Sequence, residues 1–180
     1  MVEEQNWKIP LYKIYTDEED IIQINKILRR GRDWAIGPEI EELENQIKNY
    51  VGTDYCAVLN SGTSALHATL LSYGIGTNDE VIIPSFSFIS TANSIQFVNA
   101  IPKFSEIEEH TFGLDPNLIK SKISNKTKAI MPMDYGGMSC QISELKKIAH
   151  DNDLILIEDA AEGLGSSVNG KKVGSISDSA

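Results

Sequence analysis

The chain has 180 residues, a formal net charge of -10, and 41% hydrophobic with 7% aromatic residues. That is long enough for one ordinary domain with a real core, and too apolar for a disordered chain. Nucleic acids and anionic membranes are gripped by basic faces, so the acid excess points to a small molecule or another protein as partner. The opening Met1-Val2-Glu3-Glu4-Gln5 is acidic and polar, unlike a secretory signal, and no apolar run reaches membrane-spanning length, so a cytoplasmic protein is expected. Cys56 and Cys140 lack CxxC spacing, so two reduced thiols are expected, with no disulfide framework and no metal site.

Residues 7–15, with Pro10, read as an extended arm. Thr16 is expected to open a helix, with Glu19 completing a capping box, Ile21, Ile24, Ile27 and Leu28 along one side, and Gly31 as the stop. Gly37-Pro38 starts a second helix, with Ile40, Leu43 and Ile47 facing inward and Gly52 ending it. From Tyr55 onward strands and helices alternate. Strands are predicted at 55–59, 80–83, 101–104, 128–131 and 154–157, and helices at 63–73, 88–98, 116–123 and 142–152. Such alternation implies parallel strands joined by right-handed crossovers. Asn169-Gly170, between 166–168 and 171–173, is the signal of a two-residue hairpin turn. Ala180 follows a hairpin that should lead back towards the sheet, and a longer protein is expected.

Three stretches carry chemistry. Leu154-Ile155-Leu156-Ile157, four apolar residues in a row, read as a central strand covered on both faces. Ligands of open α/β sheets bind at the carboxyl ends of the strands, where Asp159 falls. Ala160, Ala161, Gly163 and Gly165 would admit a bulky group to the backbone, although an acidic strand cap and a glycine turn would look the same. Asn60-Ser61-Gly62-Thr63-Ser64-Ala65 follows a strand and opens a helix, which suits an anion as well as an ordinary N-cap. Neither GxxxxGK[ST] nor GxGxxG occurs. In Pro84-Ser85-Phe86-Ser87-Phe88-Ile89-Ser90-Thr91-Ala92-Asn93 at least one of the two aromatics is expected in the core, and one could stack on a ring. A phosphate cradle, an aromatic face and a carboxylate together suit pyridoxal phosphate (PLP), whose pyridine nitrogen stays protonated beside a carboxylate.

Six stretches occur in the order and spacing of the DegT-type sugar-nucleotide aminotransferases. They are Gly37-Pro38, Asn60 onward to Leu66, Asp79 onward to Phe88, Lys126-Thr127-Lys128-Ala129-Ile130, Ile157-Glu158-Asp159-Ala160-Ala161-Glu162 and Gly170-Lys171-Lys172-Val173-Gly174-Ser175. The likeness runs from about Gly37 to the last residue. It implies an α/β chain: a three-layer fold-type-I PLP-transferase large domain with a mostly parallel central sheet, incomplete at the C-terminus. Residues 1–36 would be an N-terminal arm and helix, and 37–180 the PLP-binding domain, with its remainder and a small C-terminal domain absent. It also implies a homodimer that moves an amino group from glutamate to a keto group of a nucleotide-linked deoxysugar, in aminosugar or cell-surface polysaccharide biosynthesis. On this resemblance Gly62 and Thr63 would hold the cofactor phosphate, Phe88 would stack on the ring and Asp159 would pair with its nitrogen. Glu162 falls near the ring hydroxyl, where relatives often carry Gln or His, and Asp134 stands where many have His. No catalytic residue is assigned, because the family's Schiff-base lysine is expected beyond Ala180. Lys171 and Lys172 flank the hairpin turn and read as solvated.

Two readings stand beside this one. A sugar 3-dehydratase of the same fold would use His in place of the lysine. A non-catalytic or nucleotide-binding α/β domain would use residues 154–159 as a Walker-B-like strand, but needs an upstream Walker A lysine that the chain lacks.

Overall fold

The computed structural model describes residues 13–180, so most of the expected arm at 7–15 lies outside the described residues. The chain divides into two compact units that meet in sequence between Glu41 and Glu42.

The first unit contains α1 (Glu18–Arg30) and the opening of α2 (Pro38–Val51). The capping box of α1 is built on Asp17 and Asp20, one residue beyond the pair expected at Thr16 and Glu19. The Asp17 carboxylate accepts from the amides of Glu19 and Asp20, while Asp20 accepts from the amide of Asp17. A carboxylate does this better than a threonine hydroxyl because its charge also favours the helix N-terminus. Gly31, with φ 71°, ends the helix as expected. Arg30 then gathers the loop that follows, pairing with Glu39 at 2.7 Å and donating to the carbonyls of Arg32 and Asp33. No residue of α1 or α2 is buried, and of Ile40, Leu43 and Ile47, expected to face inward, Ile47 is half-buried while Ile40 and Leu43 are exposed.

In the second unit α3 (Gly62–Ser72), β1 (Glu80–Pro84), α4 (Ile89–Phe97), β2 (Ile101–Ser105), α5 (Pro116–Ile119), β3 (Thr127–Ile130), α6 (Ile142–Asp151) and β4 (Ile155–Leu156) follow in order. The four strands are parallel in the order β2-β1-β3-β4. Successive side chains of a strand point to opposite faces, and here each face has its own core. Val81, Ile83, Ala129, Met131 and Ile157 meet Leu66, Leu70 and Ile95 of α3 and α4. Ile82, Ile130 and Leu156 meet Ile119, Ile142, Leu145 and Ile148 of α5 and α6. This is the expected three-layer arrangement. The chain runs from β1 outward to β2 and then back across to β3, so the order reverses between β1 and β3, the place where open sheets form a crevice.

Three elements differ from expectation. Residues 55–59 form no strand; the Val58 amide donates to the Glu44 carboxylate at 2.9 Å instead of to a neighbouring strand. Residues 154–157 supply a strand of only two residues that stands last in the sheet order and not at its centre, although it is covered on both faces as expected. Its outer side is taken by the chain's last residues, with Asp178 donating to the Leu156 carbonyl at 2.9 Å and Glu158 to that of Ser179 at 2.8 Å. The helix expected over 116–123 changes to a tighter turn after α5, at Lys120–Lys122. The hairpin is as expected: β5 (Ser167–Val168) and β6 (Lys171–Lys172) pair antiparallel, and Asn169 and Gly170 have φ of 50° and 78°, the two positive values such a turn requires. Both cysteines are free, Cys140 being buried. No helix among the described residues is long and apolar enough to cross a membrane.

Candidate functional site

The first wall of the crevice is the start of α3. Ser61 caps it in an extended conformation, its hydroxyl accepting from the Ser64 amide at 3.1 Å, while its carbonyl accepts from the Ala65 amide at 3.0 Å. The amides of Gly62 and Thr63 precede the first intrahelical bond and find no acceptor among the described residues. A side chain at Gly62 would meet nothing within 4 Å, so the approach to these amides is open. Thr63 then bonds sideways, its Oγ1 lying 2.7 Å from Ser90 Oγ on α4.

The second wall is the carboxyl end of β4. Asp159 is 5% exposed. Its backbone is tied to the residues after β3: its amide donates to the Pro132 carbonyl at 2.9 Å, and its carbonyl accepts from the Asp134 amide at 3.1 Å. Thr91, next to Ser90 on α4, donates from Oγ1 to Asp159 Oδ2 at 2.6 Å. Burial pushes the Asp159 carboxyl above the ordinary carboxylate range, and the charges of Asp134 and Glu162 push the same way, while the bonds from Thr91 and the Ala161 amide hold it down. A cation brought to this carboxylate would relieve its burial.

The loop between β1 and α4 forms the mouth. Ser87 Oγ lies 2.6 Å from Thr91 Oγ1, whose own proton goes to Asp159, so Ser87 is the donor of this pair; the sulfur of Met133 packs 3.1 Å from the same oxygen. Phe88, the cap of α4, is 64% exposed and Phe86 is 43% exposed, so neither joins the core as one of them was expected to. Phe86 leans on Tyr135, their ring centroids 4.4 Å apart. Glu162 accepts from the Gly136 amide at 2.6 Å, which fixes it to the same turn. An open cleft of about 320 Å³ lies beside this turn, lined by Phe86, Phe112, Tyr135 and Met138.

One string of hydrogen bonds therefore joins Thr63 to Ser90, and a second joins Ser87, Thr91 and Asp159. Phe88 lies in the same loop, and Glu162 is bonded through Gly136. Ser87, Ser90 and Thr91 were not singled out in the sequence, where the stretch drew attention for its aromatics. Their signal was a cluster of hydroxyls in the first turn of a helix that has no side-chain cap of its own.

An open helix N-terminus, a buried carboxylate at a strand end and an exposed aromatic around a sheet's reversal point suit a small-molecule site of an α/β protein. Residues 15–180 match the model of the DegT/DnrJ/EryC1/StrS aminotransferase family. The chain belongs to that family. It is 36% identical over 149 residues to the UDP-2-acetamido-2-deoxy-3-oxo-D-glucuronate aminotransferase of Pseudomonas aeruginosa, covering 83% of this chain and 41% of that protein. With GDP-perosamine synthase of Caulobacter vibrioides the identity is 39% over 146 residues, 81% of this chain and 39% of the relative. Among solved structures, NtdA from Bacillus subtilis with bound cofactor PMP is similar at 32% identity and a TM-score of 0.80, covering 87% of this chain and 36% of that one. The chain spans less than half the length of these relatives.

Proposed function

We propose that this chain forms the cofactor-binding part of a PLP-dependent aminotransferase that transfers an amino group from glutamate to a keto group of a nucleotide-linked deoxysugar. The observation that carries this reading is Asp159, a buried carboxylate held by Thr91 at 2.6 Å beside the open start of α3. Its residues suit the cofactor. The free amides of Gly62 and Thr63 offer donors to a phosphate. Asp159 offers a charge that would keep a ring nitrogen protonated, and Phe88 offers an uncovered aromatic face. When bound, PLP supplies an electron sink for breaking and making bonds at the amino-bearing carbon. Glu162 is held by the Gly136 amide, which partly offsets the repulsion between a carboxylate and an oxyanion on the ligand.

The lysine that would carry the cofactor is placed by this reading outside these 180 residues, as are a small C-terminal domain and the partner subunit of a homodimer. A nucleotide sugar and glutamate are the proposed substrates, in a cytoplasmic enzyme of aminosugar biosynthesis. The test uses the full-length protein, PLP and glutamate. Release of 2-oxoglutarate, followed by amine transfer to a UDP- or GDP-linked keto sugar, is the expected result. Failure of glutamate to yield 2-oxoglutarate, with PLP bound, would overturn the donor assignment.

A further inference from the structure

Two buried carboxyls behind Asp159 have no part in the reading above. Asp134 is completely buried and Glu158 is 1% exposed. Each uses one oxygen fully. Glu158 Oε2 accepts from the Gly174 amide at 3.0 Å and from Ser177 Oγ at 2.9 Å. Asp134 Oδ1 accepts from the Cys140 amide at 2.8 Å. The other oxygens, Glu158 Oε1 and Asp134 Oδ2, have no hydrogen-bond partner, and the parallel bridge of Met133 with Asp159 sets the flanking Asp134 and Glu158 on one and the same face. Two bare carboxylate oxygens set against each other in the interior are doubly costly, through lost hydration and mutual repulsion. One proton between them removes both costs.

We propose that Glu158 and Asp134 share a single proton, donated from Glu158 Oε1 to Asp134 Oδ2, and that this pair is a positioning clamp for Asp159. The pair is tied to its surroundings in three places. Asp134 follows β3 and its amide holds the Asp159 carbonyl. Glu158 adjoins Asp159 and its amide donates to Ser179. Through Gly174 and Ser177 the same carboxyl fastens the segment after the hairpin. Breaking the pair would free the ends of β3 and β4 to part, and the Asp159 carboxylate with them.

The charged groups on the elements packed here do not supply an alternative partner. Asp159 and Glu162 are themselves acidic. Lys146 pairs with Asp178, whose other oxygen takes the Leu156 amide, and Lys172 bonds to Tyr50. The Cys140 thiol is held protonated by burial and by Asp134. Burial, then the Asp134 charge, push the Glu158 carboxyl upward, which favours a proton on its bare Oε1.

The clamp's effect on Asp159 as a cofactor ligand rests on the proposed function, whereas the shared proton does not. The experiment is infrared spectroscopy of the full-length protein without cofactor, paired with PLP titrations of the wild type, E158Q and E158A. At neutral pH the wild type should show the carbonyl stretch of a buried protonated carboxyl, absent from E158Q and retained in D159N. Gln can donate to Asp134 in the proton's place, so E158Q should bind PLP almost as tightly as the wild type, while E158A, which leaves a buried acceptor unpaired, should bind about tenfold more weakly or worse. Absence of the protonated band from the wild type, or its persistence in E158Q, would overturn the shared proton even if E158A does not fold. Equal PLP affinity of E158A and the wild type would overturn the clamp, and a protonated band without PLP binding by any variant would overturn the cofactor reading while the shared proton stands.

Discussion

Thr91 and Asp159 stand 68 residues apart in sequence and are joined by a 2.6 Å hydrogen bond that ties the first turn of α4 to the end of β4. The bond favours the charged form of the carboxyl, so it opposes the upward push of burial on Asp159. Replacing Thr91 with Val preserves shape and removes the donor. T91V should lose about 1–3 kcal/mol of stability, the usual cost of an unpaired buried acceptor, and should bind PLP more weakly because Asp159 is ionised less readily. Urea unfolding and an absorbance titration of the full-length protein check the two effects.

Gly62 separates binding from folding. A side chain there has open space in the structure, yet it would cover the amides of Gly62 and Thr63. G62V should therefore unfold within about 1 kcal/mol of the wild type, as substitutions away from packed groups do, while its affinity for PLP and for inorganic phosphate falls. Calorimetric titration with each ligand, beside a denaturation curve, distinguishes this from misfolding.

Glu162 raises the Asp159 carboxyl by its charge and holds the Gly136 turn by its oxygen. Gln keeps an acceptor and removes the charge. E162Q should bind PLP at least as tightly as the wild type, whereas E162A loses the anchor and should bind less tightly; dissociation constants from fluorescence quenching test the order.

Stability should fall with rising pH in a window set by Glu158. Its carboxyl, ordinarily near 4.5, is pushed up to about 8 in the folded chain, first by burial and then by Asp134. The folded state thus holds a proton that the unfolded state has released, so the contribution is complete below about 4.5 and is lost as the pH rises through about 8. Asp159, also shifted up by burial, acts in the same direction. Denaturant midpoints at a series of pH values should decline through this window, and less steeply in E158Q.

The sequence exposed most of this architecture because its signals were local. The apolar runs at 80–83 and 128–131 became β1 and β3, and Asn169-Gly170 made the hairpin, because alternation and turn chemistry are written in neighbouring residues. What escaped depended on partners distant in the chain. The stretch at 55–59 has strand composition but no strand beside it, and the apolar run at 154–157 finds its outer partners in residues 178–179, about twenty positions further along the chain. Asp159 and the start of α3 were visible at element ends, whereas the hydroxyls of Ser87, Ser90 and Thr91 acquire meaning only from the groups they face across the crevice. The pairing of Asp134 with Glu158 was likewise hidden, since nothing in either neighbourhood says that two carboxyls will be buried together.

The most direct measurement is a visible-absorbance titration of the full-length wild-type protein and D159N with PLP, followed by addition of glutamate. The wild type should bind the cofactor and convert it to its amine form, while D159N, whose folded structure keeps an acceptor for Thr91, should bind weakly and convert it slowly if at all. Equal binding and equal conversion by the two proteins would contradict the role assigned to Asp159 and the account built on it.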